Sequence, residues 1–217
     1  LLLVQLAGFI VPFVLLNPVV PPGFLVTAGA HALRLKVAVG LLLVNGVVTI
    51  TIAAVVSPVL RRSSEVTAIL LLTASTIMCV LQVIDNAHLL SMLSLSEQYL
   101  AAGSRGELLD AMGAALRSTR RWVHYAELLS IEVWVGLLYA VLLYARAIPR
   151  ALAIVGLGTA VLHFGAVVLP FYVGISSVMW LGMPMGLSQL ALVAWLVARG
   201  FNQIPSTVTG GGAATQG

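Results

Sequence analysis

Seven acidic side chains and four histidines are the groups of this 217-residue chain best suited to proton, metal or ligand chemistry, and their spacing sorts them. Asp85 and His88 stand three residues apart, as do His124 and Glu127, a spacing that puts each pair on one face of a helix. Two carboxylates and two imidazoles at one depth could ligate a divalent metal or relay protons, and the two histidines could grip a haem iron. Ion pairing with Arg120 or Arg121 explains the same residues without any ligand. Glu132 and His163 form a second set, which joins Asn45, Thr76 and Gln189 as a candidate ligand-binding or proton-carrying layer. Hydrogen bonding across helices, which only fixes their packing, is the alternative for that layer.

The elements that must position these groups follow from composition. Only 8% of residues are charged and 60% are hydrophobic, with a mean hydropathy of +1.09. Soluble domains carry about 25% charge, so this chain could not cover a water-facing surface. A soluble enzyme, a disordered tail and a secreted disulfide scaffold are excluded, and the class is all-α: a polytopic membrane protein. Six runs approach the ~20 apolar residues that a membrane helix needs: 1–20, 37–60, 66–95, 122–144, 151–174 (interrupted by Pro170) and 183–198. They are continuous rather than alternating, which excludes barrel strands. A single six-helix domain over 1–201 is expected, followed by a Gly-, Thr- and Ser-rich tail over 202–217 that reads as disordered.

Depth arithmetic then places the polar groups. At ~1.5 Å per residue, Glu132 and His163 each lie ~18 Å from the end of their spans that faces the Ala147-Ile148-Pro149 turn, so two antiparallel neighbours would bring them level. Asn45, Thr76 and Gln189 fall near the same depth, whereas Asp85 lies ~28 Å along the third span, at the opposite interface, with Trp122 as an aromatic anchor. An acid at mid-membrane is costly and by default points to function.

The connection between spans three and four, 96–121, is the main extramembrane element. Ser104-Arg105-Gly106-Glu107 fits a capping box, and Leu108, Leu109, Met112, Ala115 and Leu116 share one face of the amphipathic surface helix it would start. This helix is either a solvated connector or a lid over a ligand entrance. Arg61, Arg62, Arg146, Arg150 and Arg199 lie in short loops on one side; Arg34, Lys36, Arg105, Arg117, Arg120 and Arg121 lie on the other, four of them in the long connection. Short loops are the better witnesses of the positive-inside rule, which favours both termini in the cytoplasm and a cell (inner or plasma) membrane location. Ala30-His31-Ala32 resembles a signal-cleavage site, but no basic leader precedes it and the exit is Pro-rich, so a trimmed or processed first helix is expected instead.

Other chemistries find no motif. The 11 basic residues are scattered without interleaved aromatics, which excludes nucleic acid as a partner. Cys79 is the single cysteine, so neither a disulfide nor a cysteine metal site can form within the chain. Phosphate loop, dinucleotide fingerprint, nucleophile elbow, voltage-sensor ladder and selectivity filter are all missing. Membrane lipids and other membrane proteins are the expected partners, and the sequence names no cofactor.

Two stretches carry a resemblance. One is Ser57-Pro58-Val59-Leu60-Arg61-Arg62 with the Leu-rich end of span three, Leu89 to Leu95; the other runs from Glu132 through Ala147-Ile148-Pro149-Arg150-Ala151-Leu152 to Leu196-Val197-Ala198-Arg199-Gly200-Phe201. Together they resemble the bacterial multi-pass membrane proteins grouped as domain-of-unknown-function family 4386. The resemblance covers nearly the whole chain and implies six helices with these turns, but no activity. The family pattern has a Glu in the last span where this chain has Gln189, which puts a carboxylate role there in doubt. Three function classes stay open: a protein that binds or moves a small apolar or amphipathic ligand through the midplane layer, a non-catalytic accessory subunit of a larger complex, and a metal- or haem-binding redox protein. The balance leans away from an enzyme.

Overall fold

The computed structural model describes residues 1–20, 23–61, 64–103, 106–174 and 179–202. Every regular element among them is helical: α1 (Leu2–Leu16), α2 (Phe24–Ala30), α3 (Ala32–Arg61), α4 (Glu65–Ala101), α5 (Glu107–Tyr144), α6 (Arg150–Tyr172), a 3-10 turn (Met179–Gly182) and α7 (Met183–Arg199). The apolar runs leave no alternative in hydrocarbon, where each backbone N–H and C=O must be paired within its own segment. Local signals set the ends. Ser64 caps α4, its hydroxyl oxygen accepting from the Thr67 N–H at 3.4 Å, with Glu65 in the first turn against the helix dipole.

Five segments are long and apolar enough to cross a membrane, namely α3, α4, α5, α6 and Trp180–Arg199, and α1 is a shorter apolar helix of 15 residues. The 37 residues of α4 and 38 of α5 would each run ~55 Å, well beyond a ~30 Å hydrocarbon core. The amphipathic helix expected in the third connection is therefore the first third of α5, continuous with the fourth span, because neither Pro nor a glycine pair interrupts 107–144. Its expected cap, Ser104-Arg105, lies outside the described residues, as do Arg62, Pro21, Pro22 and all of the tail beyond Asn202. The short α2 was not legible as a helix of its own. It lies on α4, where the Gly29 N–H donates to Ser96 Oγ and the Ser96 hydroxyl donates to the Leu25 carbonyl, both at 2.7 Å.

Neighbouring helices touch in the order α1, α3, α4, α5, α6, α7, and α7 returns to α1, so the bundle closes. One buried cluster runs through its middle, around Trp134, Tyr139, Leu71 and Met78; a second, around Phe24, Leu35 and Leu89, joins α2 to the ends of α3 and α4. The outer face carries exposed Val47, Val55, Val80, Val161 and Val197. Such a surface is a liability in water and the proper boundary in lipid. At the end opposite α2, the α5–α6 turn buries Ala147 and Ile148, and Asn202 fastens it, donating from its backbone N–H to the Ala147 carbonyl at 2.8 Å and from its side-chain amide to the Arg146 carbonyl at 3.1 Å. This tight turn fixes the relative height of α5 and α6.

Candidate functional site

Glu132 and His163 meet across the α5–α6 seam, His163 Nδ1 against Glu132 Oε1. Glu132 is 4% exposed, and its second oxygen, Oε2, has no hydrogen-bond partner among the described residues. Gly182 lies against the His163 ring so closely that a Cβ there would overlap it, and the 3-10 turn thereby limits where the imidazole can swing. Farther along the seam, toward the α5–α6 turn, Tyr139 packs directly on Gly156 of α6. The Tyr139 hydroxyl donates to Ser188 Oγ at 3.2 Å, Thr159 donates to the same oxygen at 2.9 Å, and Ser188 donates to the Met185 carbonyl at 2.8 Å. One hydroxyl thus joins α5, α6 and α7 beneath the pair. Sequence reasoning passed over these three residues. It chose Gln189, which is half-buried and makes no side-chain hydrogen bond among the described residues. The adjacent Ser188 is the group turned inward, and one residue is a rotation of about 100° on a helix.

The rest of the expected layer does not converge on Glu132. Asn45 is buried in α3 where α1 brings Gly8 against it, and neither amide atom has a partner among the described residues. One turn away Gln5 donates to Thr49 Oγ1 at 2.8 Å, so this polar spot belongs to the α1–α3 contact. Thr76 is exposed on the outer face of α4, its hydroxyl donating to the Leu72 carbonyl of its own helix at 3.0 Å. Its expected place in the layer is corrected by that facing; Ser75, next to it, is the buried one and accepts from Trp134 Nε1 at 2.7 Å. Equal depth does not mean a shared face, and the single layer resolves into separate interhelical contacts.

The second set gathers between α4 and α5. Arg120 donates to Asp85 Oδ2 at 2.9 Å, and His124 Nδ1 lies 3.6 Å from that oxygen and 3.3 Å from Glu127 Oε2. Asp85 and Glu127 are buried. One ligand atom each from Asp85, His124 and Glu127 falls within 4.8 Å of the others, near enough to share one divalent ion. The Arg120 guanidinium already holds the central carboxylate, however, and a dication there would face a fixed positive charge. Two carboxylates, one guanidinium and one imidazole able to carry the fourth charge compensate one another as they stand. His88 is outside this group, donating from Nδ1 to the Ile84 carbonyl of its own helix at 2.8 Å. The expected four-residue metal set is thus three residues and an arginine, and the two histidines do not act together in it.

The family model described as domain of unknown function (DUF4386) matches residues 1–200. Neither a curated protein nor a solved structure matches the chain. With a closed bundle of apolar helices matched almost end to end by that family, the chain belongs to the domain of unknown function (DUF4386) family and is a multi-pass integral membrane protein.

Proposed function

We propose that the protein binds or moves a small amphipathic ligand at the Glu132–His163 pair. The observation that carries this reading is Oε2, without a hydrogen-bond partner among the described residues, on a carboxyl group that is 4% exposed in the middle of an apolar bundle. A buried polar atom without a partner is expensive unless something else, water or ligand, completes it, and intramembrane acids are kept where they act on a substrate or a proton. The surroundings isolate the pair. No titratable side chain occurs in residues 1–30 except the first residue's amino group, between 37 and 60, or between 179 and 198, so α1, α3 and α7 bring none to it. His163 is the group that α6 supplies, and on α5 itself Glu127 and Tyr139 stand five and seven residues away.

Extraction of small molecules from protein purified in mild detergent, followed by mass spectrometry, tests the reading. The wild-type chain is expected to retain an amphipathic molecule enriched over the bulk lipid extract, and Glu132→Gln to lose it. Identical extracts from both, matching bulk lipid, would overturn the assignment. We place the protein in the cell membrane, in contact with lipids and with both termini cytoplasmic, from the short-loop arginines. A second reading, an accessory subunit within a membrane complex, is favoured by the apolar window in Trp180–Arg199, of which only 11% is buried within the bundle. Its test is the native mass of the protein solubilised from its own membrane. A species carrying other chains supports the subunit reading, and a lone chain removes it.

A further inference from the structure

Toward the α2 end of the same seam, α5 and α6 part around a cavity of about 160 Å³. Its walls include Trp122, Tyr125 and Leu129 from α5 and Val167, Phe171 and Tyr172 from α6. Leu129 precedes Glu132 by three residues and Val167 follows His163 by four, so each wall shares a helix face with its member of the pair. The cavity therefore stands one helical turn from the buried carboxyl group, about 4.5 to 6 Å along the helix axes. Its lining is rich in rings that pack on one another: Phe171 sits 4.3 Å from Tyr125, 4.9 Å from Trp122 and 4.6 Å from Tyr172, centroid to centroid.

These features select a ligand by charge. Aromatic faces carry the negative end of the ring quadrupole and attract organic cations. No charged side chain is among the described residues that line the cavity, so none of them sets a fixed cation against the rings. The nearest acid along the seam, Glu132, keeps one oxygen without a partner among the described residues. An anion would meet the negative faces of the rings, and a neutral apolar molecule would leave Oε2 as it is. We propose that the ring-lined cavity and Glu132 form one site for an organic ammonium group, its apolar or methylated body among Tyr125, Phe171 and Trp122 and its charge directed at Glu132. A dry cavity of about 150 Å³ holds a molecule the size of benzene, so the site fits a single ring or a trimethylammonium head. The proposal rests on the reading of Glu132 as a ligand-binding residue and names the ligand's class.

The test compares benzyltrimethylammonium, its neutral isostere neopentylbenzene and the anion phenylacetate by equilibrium binding to the purified chain in phosphatidylglycerol nanodiscs, with empty nanodiscs as background. The cation is expected to bind about tenfold more tightly than the isostere, and to lose that advantage in Glu132→Gln and in Tyr125→Leu. Size-exclusion profiles and melting curves identify any variant that fails to fold, and the other variant then carries the comparison. If neopentylbenzene or phenylacetate binds as tightly as the cation and Glu132→Gln still weakens it, the cation class is overturned while the binding role of Glu132 stands. If no probe binds above background, the cation site is overturned and the reading of Glu132 is left to the extraction experiment. Adding phosphatidylcholine to the nanodiscs separates the sources of the ammonium group: competition with the probe assigns the site to a lipid headgroup, its absence to a free amine, and either supports the cation site.

Discussion

Two polar groups share α5, five residues apart at their nearest, and they solve the burial of charge in opposite ways. Glu127, with Asp85, Arg120 and His124, belongs to a cluster that brings its own cation: Arg120 reaches Asp85 at 2.9 Å, and the imidazole of His124 bridges both carboxylates. Glu132 has a histidine and no cation beside it; like Asp85, whose Oδ1 is also unpartnered, it keeps one carboxyl oxygen, Oε2, without a hydrogen-bond partner among the described residues. The first faces α4 and the second faces α6, because 124, 127, 131 and 134 fall on one stripe of the helix and 132, 135 and 139 on another. The difference separates two uses of an acid in a membrane. A carboxylate paired with a guanidinium ties helices together. A carboxyl group with no guanidinium beside it is the one proposed above to take a ligand.

Breaking the guanidinium-paired group is expected to give the largest effect. Arg120→Met leaves Asp85 buried without its cation, and removing one member of a buried pair costs about 3 kcal/mol or more. The melting temperature in detergent should drop sharply, and Asp85→Asn added to Arg120→Met should recover much of the loss. Glu132→Gln is the counterpart at the Glu132–His163 group. It keeps the volume and leaves a carbonyl oxygen for His163, so it should cost about 1 kcal/mol or less while abolishing ligand retention. A wild-type melting curve for Arg120→Met, or a collapse of Glu132→Gln, would reverse the assignment of the two groups.

A smaller effect is expected where the seam is set. Gly156 lies against the Tyr139 ring, and its replacement by Leu overpacks the contact, at a cost of about 1 to 3 kcal/mol. Because Tyr139, Thr159 and Ser188 converge there, the added side chain should also shift α6 along α5 and weaken ligand retention. The Asp85–Arg120 pair, on the other side of α5, should survive. Double-mutant cycles can read this directly: the Asp85–Arg120 coupling should be the same with Gly156 and with Leu at that position.

Much of the fold was legible because the bilayer reduces the problem to run length. The apolar stretches, the Pro149 turn and the equal depths of Glu132 and His163 follow from counting residues, and in the structure that pair makes contact. Facing was not legible. An apolar helix surrounded by lipid on one side and protein on the other shows almost no amphipathic period, since both environments accept the same side chains. Hence Thr76 was read for Ser75 and Gln189 for Ser188, each a single residue from the buried hydroxyl. Arg120 could have been separated from Arg121 only by its seven-residue spacing from Glu127, two turns along one face.

The weakest expected effect tests whether the two regions are as separate as their geometry implies. Thr76→Val removes a hydroxyl that is exposed on α4 and bonded to the Leu72 carbonyl of its own helix, so stability should stay within about 0.5 kcal/mol of wild type and ligand retention should not change. Ser75→Ala, one residue earlier, strands the Trp134 indole N–H inside the bundle and should cost about 1 kcal/mol or more. Since Trp134 lies on the α4-facing stripe with Glu127, that loss should also leave retention at Glu132 intact. If instead Thr76→Val weakens retention, the ligand reaches the outer face of α4, and the division between a structural group and a binding group no longer holds.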